Sequence, residues 1–516
     1  MIQETHRVEF GDYQTPAALA REVAGFLKAI GLCPRVIVEP TCGLGAFVEA
    51  ATEAFPSARC FAFDINHRYV DRLAVVGERV SAERQDFFEK DWKAFFDNLT
   101  GEILLVGNPP WVTNSGLGAI RGNNLPKKTN FQQHKGFAAK TGKANFDISE
   151  WMLIKLLEAL GKHQACLAML CKSATARKVL KHAWLHEFPV GRASLHAIDA
   201  QEHFQVAVDA CLLVVHTGIT GAPKTAAVYR DLSFAEKGNT LGLHGKEIIA
   251  DIDEFHQLID LDGICYYTWR SGVKHDAAKV MEFTKDGSRY LNGLHDAVTI
   301  EHTYLYPMLK SSDLANGEID PNRLVLLTQK HPSDDTATIR DKAPATWKYL
   351  HAHGRQLDAR QSIIYQKRAR FSVFGVGAYT FAPWKVAISG LYKSLKFRVL
   401  GSVRGKPIVV DDTCYFIPCQ TRQEAEFICG LLNSDLCQRF LRALVFLDAK
   451  RPVTIDVLNH IDLKRVAEKL GLEAQARRYL ATAREYEHGL PQLVFEQKRS
   501  GKKTYRAGTK NSRLHL

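Results

Sequence analysis

The residue run Asn108-Pro109-Pro110-Trp111 is the part of this chain best suited to chemistry. It follows Gly107 and the apolar run Ile103-Leu104-Leu105-Val106, which reads as a buried strand. Two prolines there remove backbone donors and hold the chain extended. What is left is a pair of outward-facing carbonyls, an amide side chain and a wide aromatic face. Such a set fits a planar ring with an exocyclic amino group. The amino hydrogens donate to the Asn108 oxygen and the Pro109 carbonyl, and the ring stacks on Trp111. Two acceptors draw that nitrogen toward tetrahedral geometry and localise its lone pair for attack on an electrophile.

A second group lies upstream. The strand-like run Val36-Ile37-Val38 leads into Glu39-Pro40-Thr41-Cys42-Gly43-Leu44-Gly45-Ala46, after which the pattern turns helical. Strand, glycine turn and helix N-terminus make a nucleotide cradle, because glycine lets backbone approach the ligand. Asp64, about 20 residues on, ends the next strand where a carboxylate can accept from both ribose hydroxyls. A dinucleotide site would fit these residues, but its third glycine is absent, since Ala46, Phe47 and Val48 follow Gly45. Asp86-Phe87 follows the expected third strand; the carboxylate could accept from an adenine amino group while Phe87 packs beside the ring.

Positioning these groups requires a sheet. Cys60 to Phe63, Cys166 to Leu170 and Cys211 to Val215 are further strand-like runs, and Ala46 to Phe55 and Glu150 to Leu160 space apolar residues as one-faced helices do. The alternation predicts an α/β fold, a Rossmann-like domain with a mostly parallel sheet. It fades after about residue 220, where Lys406 to Val410 and Glu424 to Leu432 suggest a mixed α+β domain. The expected division is an α/β domain over 1–220, a linker or extension over 221–270, a mixed domain over 271–490 and a basic tail over 491–516.

The ordered set Glu39 to Gly45, Asp64, Asp86-Phe87 and Asn108 to Trp111 resembles the S-adenosylmethionine-dependent amino-methyltransferases. Upstream, Phe10-Gly11-Asp12-Tyr13-Gln14-Thr15-Pro16 resembles the Tyr-x-Thr-Pro element of the gamma class of adenine-N6 DNA methyltransferases of restriction-modification systems, over roughly residues 8 to 216. The resemblance implies S-adenosylmethionine as cofactor, bound by a catalytic domain over 1–220, with a DNA target-recognition domain over 271–490; Thr15 and Pro16 form a lid, and Tyr13 is a further cofactor-binding residue. Glu39 and Thr41 would lie near its methionine end, Gly43 and Gly45 beneath it, Asp64 on the ribose, and Asp86 and Phe87 on the adenine. Asn108, Pro109 and Pro110 would present the amino group of a flipped-out adenine, Trp111 standing where Tyr or Phe is commoner, and Phe204 in His203-Phe204-Gln205-Val206 would pack on the other side of the base. Many relatives have an acid two residues after the ribose-binding one; this chain has Asn66. Direct in-line transfer needs no metal and no covalent nucleophile.

Charge supports a polyanionic partner. The 516 residues hold 68 Lys plus Arg against 56 Asp plus Glu, a formal +12. Residues 1–220 are nearly neutral, with 24 basic and 23 acidic side chains, which leaves 44 against 33 for the remainder. The expected partner is duplex DNA. Its first contacts are assigned to Arg121, Lys127, Lys128 and Lys135 in the acid-free segment 112–145, read as a mobile phosphate-contacting loop. In the second half, Lys274 beside Trp269-Arg270, then Lys367, Arg368 and Arg370 before Phe371, and Lys393 and Lys396 with Arg398, Arg404 and Lys406, are the candidate DNA contacts. The basic run Lys498 to Lys510 reads as a nonspecific tail.

Eleven scattered cysteines without Cys-x-x-Cys pairs, no secretory pattern after Met1 and no apolar run of about 20 residues predict a cytoplasmic protein with free thiols and no membrane partner. The expected state is a monomer, with a separate cognate restriction endonuclease as a candidate partner. Three other readings stay open. One is an amino-methyltransferase acting on rRNA or on protein glutamine. Another is a restriction-modification fusion, for which Glu496-Gln497-Lys498 lacks a matching Asp before it. The third is a DNA-binding module without catalysis.

Overall fold

The computed structural model describes residues 14–73, 78–112, 147–233, 237–265, 267–287, 289–366 and 368–480. Within them the first half builds a ten-stranded sheet. Its strands are β1 (Val36–Glu39), β2 (Arg59–Asp64), β3 (Val80–Arg84), β4 (Ile103–Gly107), β5 (Ala165–Lys172), β6 (Val190–Ile198), β7 (Ala210–Thr217), β8 (Thr225–Tyr229), β9 (Lys237–His244) and β10 (Glu247–Ile249), ordered 10-9-8-6-7-5-4-1-2-3. From β3 to β5 every pairing is parallel, and β7 is inserted antiparallel between β5 and β6. The order reverses between β1 and β4, where crevices for ligands open at the carboxyl ends of parallel strands.

Alternate residues of each strand feed two cores, as the two-residue period of a strand requires. Ile37, Leu104, Ala168 and Val214 face α1 (Ala17–Ala29) and α2 (Ala46–Ala54). Val36, Leu105, Leu167 and Leu213 face α4 (Trp92–Asp97), α5 (Ile148–Leu160) and α6 (Ser173–Leu185), while α3 (His67–Leu73) joins the first core through Leu73. Central strands are apolar on both faces, which is why they stand out in the sequence as continuous runs.

The sheet continues past residue 220. β8 to β10 occupy residues 225–249 of the stretch expected as linker or extension, and no helical crossover separates β9 from β10, so the sequence shows no alternation there. Residues 252–269 pack with the C-terminal part of the chain, in a core shared with strands 384–389 and 414–419 and helices 422–433 and 435–444. A six-stranded sheet within residues 282–410 forms a further core around Phe283, Val325, Leu350 and Phe371. Eleven free cysteines are distributed through these layers. No helix among the described residues is long and apolar enough to cross a membrane.

Candidate active site

β1 delivers Glu39 to the reversal point and β4 delivers Gly107 beside it. A Cβ on Gly107 would lie 3.4 Å from Glu39 Cγ, so the two strand ends are in close contact. The turn after β1 is held by backbone and carboxylate. Cys42 N donates to the Phe63 carbonyl at 2.8 Å, and the two Asp64 oxygens accept from Gly43 N at 2.9 Å and Asn66 N at 2.8 Å. Gly43 and Gly45 have φ of +49° and +91°, the left-handed region that glycine enters most easily, and Gly45 lets the chain turn into α2.

Glu39 is 2% exposed, and its carboxyl is held well above the usual range, first by burial and then by the Asp64 charge. Its Oε2 atom and the buried Thr41 Oγ1 have no hydrogen-bond partner among the described residues. Buried polar atoms without partners are unfavourable, and at the mouth of a nucleotide-type crevice they fit a ligand that carries its own donors. The amino end and hydroxyls of S-adenosylmethionine have that character.

Two neighbours, Gln14 and Ile65, escape a sequence reading. Gln14 Oε1 accepts from Leu44 N at 2.8 Å, docking the segment of Thr15 and Pro16 onto the turn. Pro16 then caps α1, its carbonyl accepting from Ala20 N at 3.1 Å. Ile65, 43% exposed directly after Asp64, offers an aliphatic surface at the same strand end. An apolar residue next to a strand-end acid is the only local signal for it. Asn66 has a structural duty, since its carbonyl accepts from Tyr69 N at 3.1 Å at the start of α3. Asp86 Oδ1 accepts from Phe88 N at 2.8 Å, whereas the Phe87 ring is committed to an aromatic cluster, with centroids 5.0 Å from Trp92 and 6.3 Å from Trp151.

Beyond Gly107 the chain passes through Asn108, buried Pro109 and Pro110 to Trp111, itself 6% exposed. The Trp111 indole nitrogen points at the Leu170 carbonyl at 3.4 Å, and Lys172 Nζ donates to the Trp111 carbonyl at 3.0 Å. Phe204 ends the short helix α7 (Ala200–Phe204), and its ring meets Trp111 edge to face with centroids 5.2 Å apart. The two aromatic residues expected on opposite sides of a base are therefore in mutual contact, with no slot for a third ring between them. A base can lie between them only after one has moved.

The expected DNA contacts divide sharply. Tyr13 of the cofactor set, and Arg121, Lys127, Lys128, Lys135, Lys367 and the 498–510 run, lie outside the described residues. Lys274 is engaged by Asp276 at 3.1 Å and Asp412 at 3.5 Å, and Arg370 makes a two-pronged pair with Asp358 at 3.1 and 2.7 Å. Arg368 lies over the Phe374 ring at 5.3 Å, and Lys406 is bonded to the carbonyls of His302, Thr303 and Leu305. Lys393 and Lys396 are exposed. A cleft of roughly 1160 Å³ runs between the 206–209 loop after Phe204 and the 439–448 segment of the second half, where acids balance the arginines: Arg177 pairs with Asp448 at 2.6 Å and Arg439 with Glu254 at 2.7 Å.

No protein-family model matches the chain. It is 43% identical over 478 residues to the type II methyltransferase M.NspV of Nostoc sp., covering 90% of this chain and 98% of the relative. A shorter match, 33% identical over 110 residues and 21% of each chain, is to the type II methyltransferase M.XamI of Xanthomonas campestris pv. amaranthicola. Among solved structures, the type IIL restriction-modification enzyme MmeI in complex with DNA matches with a TM-score of 0.47 at 12% identity, covering 94% of this chain and 78% of that one.

Proposed function

Because the chain belongs to the type II methyltransferases, we propose that it methylates the N6 amino group of adenine at a specific site in duplex DNA, as the modification enzyme of a restriction-modification system. The cofactor is S-adenosylmethionine, which supplies an electrophilic sulfonium methyl. The observation that carries the reading is the meeting of two strand ends. Glu39 with its unpartnered oxygen ends β1, and the Asn108-Pro109-Pro110-Trp111 run leaves the adjacent end of β4.

In this reading Glu39 and Thr41 bind the methionine end of the cofactor, Gly43 and Gly45 admit it to the turn, and Asp64 orients the ribose. The Asn108 side-chain oxygen and the Pro109 carbonyl accept the two amino hydrogens and grip the amine more strongly as positive charge develops on it. Catalysis is then chiefly positioning, a contribution that can reach roughly 7–11 kcal/mol when reactants are held in line. An adenine inside a duplex cannot reach such a crevice and must be rotated out at a cost of about a few kcal/mol, offset in part by stacking on Trp111 and Phe204.

The test is expression in a host lacking adenine methylation, followed by mapping of modified adenines across the genome. N6-methyladenine at one recurring sequence is expected, and none with Asn108→Ala, although that variant still binds S-adenosylmethionine. Methyl transfer to rRNA or to protein glutamine in place of DNA, or normal turnover by Asn108→Ala, would overturn the reading.

A further inference from the structure

The end of β5 makes two contacts with Trp111, and the residue after it bonds to the loop that follows Phe204. The Leu170 carbonyl faces the Trp111 indole nitrogen at 3.4 Å, Lys172 Nζ donates to the Trp111 carbonyl at 3.0 Å, and Ser173 N donates to the Asp209 carbonyl at 2.9 Å, just beyond Phe204 in the chain. The Lys172 ammonium also donates to Asp147 Oδ2 at 2.7 Å. Asp147 is buried, and its other oxygen accepts from Ser149 N at 3.1 Å and Ser149 Oγ at 2.6 Å at the start of α5. Next to it, Ile148 N donates to the Val112 carbonyl at 2.9 Å.

Exposed ion pairs contribute little to stability or geometry. This one differs, because the Asp147 side chain is 8% exposed and a buried carboxylate deprived of its cation is strongly unfavourable. The carboxylate therefore dictates where the ammonium sits, and the ammonium dictates where the Trp111 carbonyl sits. The contacts of Leu170, Lys172 and Ile148 run to Trp111 and Val112, the segment that follows Asn108. The cofactor turn is held separately, by Asp64 and Gln14.

We infer that Lys172 and Asp147 are a positioning pair for methyl transfer. They hold the Trp111 backbone, and through it the Asn108 and Pro109 acceptors, in the place where the target amine is presented. The inference rests on reading Asn108 to Trp111 as the amine-binding segment. Neither residue touches the reacting atoms in this role, so their loss slows transfer without weakening the cofactor.

The experiment compares the full-length protein with Lys172→Met, Lys172→Arg and the double variant Lys172→Met/Asp147→Asn. Single-turnover transfer of labelled methyl to DNA from a host lacking adenine methylation gives the rate, calorimetry gives the Kd for S-adenosylmethionine, and hydrogen exchange follows the peptide containing Trp111 and Val112. The double variant removes the ammonium without leaving a buried carboxylate alone, so it reports even where Lys172→Met does not fold. Its rate is expected to fall about fivefold or more, since misplacing reacting groups by about an ångström can cost on the order of 100-fold. Its Kd stays within about twofold of the parent, because uniform binding is untouched. Exchange at Trp111 and Val112 speeds up, and Lys172→Arg, whose guanidinium can reach both acceptors, keeps about a third of the rate or more.

A rate loss below about fivefold in the double variant, a loss carried by cofactor affinity, or an Arg variant as slow as the Met variant overturns the inference. Asn108→Ala, assayed alongside, separates the two levels. If it turns over normally, the amine-binding reading fails; if it is inactive while the double variant stays fast, only the positioning role fails. Should the parent leave DNA unmethylated, unchanged hydrogen exchange in the double variant still refutes the hold on Trp111.

Discussion

Trp111 and Phe204 touch edge to face with ring centroids 5.2 Å apart, although they come from the ends of β4 and α7, nearly a hundred residues distant in the chain. In the proposed function, the contact fills the place in which the target base stacks. Entry of the base must exchange an aromatic–aromatic contact, worth about 0.5–1.5 kcal/mol, for base–aromatic stacking of about 1–3 kcal/mol.

Phe204→Ala is therefore expected to weaken DNA binding by on the order of 1 kcal/mol, the lost stacking less the ring contact that base entry no longer breaks, seen as a raised KM for DNA in steady-state methylation, with the cofactor Kd unchanged. An unaltered KM for DNA would remove Phe204 from the target site.

Gly45→Ala tests the cradle. A Cβ there would lie 2.3 Å from Leu73 Cδ2, and a non-glycine residue at φ +91° is strained in any case. The expected loss is about 1–3 kcal/mol of stability in urea unfolding together with weaker S-adenosylmethionine binding. A variant with parental affinity and stability would show that the turn tolerates a side chain.

Glu39, if it holds the cofactor ammonium as proposed, gives cofactor binding a pH dependence. Burial, then the Asp64 charge, keeps its proton on well above the usual carboxylate range in the free protein. A ligand ammonium at that site favours the ionised form, so binding releases a proton. Affinity should then rise with pH, by up to about tenfold per pH unit, until the raised pKa is passed. Calorimetry in buffers of different ionisation enthalpy checks this. Glu39→Gln should bind without that slope, and a slope that persists in it would assign the proton elsewhere.

Lys385 predicts a separate pH effect, on stability. Its side chain is buried, 1% exposed, with Nζ donating to the Ala382 carbonyl at 2.9 Å, and burial pulls its pKa down to about 7. Between about 7 and lysine's ordinary value near 10.4 the unfolded chain holds a proton that the folded protein does not, so stability rises with pH across that window. Relative to Lys385→Met, the parent should gain on the order of a few kcal/mol from pH 7 to pH 10 in urea unfolding. Parallel pH profiles for the two proteins would refute the assignment.

Much of the catalytic half is legible from local residue patterns. β1, β2, β4, β5 and β7 coincide with the apolar runs, α2 and α5 with the three- and four-residue spacings, and the glycine turn with the left-handed residues Gly43 and Gly45. β6 and β8 to β10 were not visible, because they are short or half-exposed and are defined by pairing partners rather than by composition. The same limit applies to charge. Lys274 and Arg370 look like free cations in a basic stretch, but folding brings Asp412 to Lys274 and Asp358 to Arg370, while Asp276 joins Lys274 from two residues away.

Local residue patterns set the order of the chemical groups along the chain: the glycine turn, the strand-end acid and the Asn-Pro-Pro-Trp run. Each depends on neighbours within a few residues, where backbone conformation is decided by local sterics and hydrophobic period. Tertiary structure alone decided which groups meet. That Glu39 loses its solvent, that Lys172 grips Trp111 from 61 positions away and that Phe204 closes against the same indole are consequences of strand order and burial. Such contacts join segments whose separation in sequence carries no information about their distance in space.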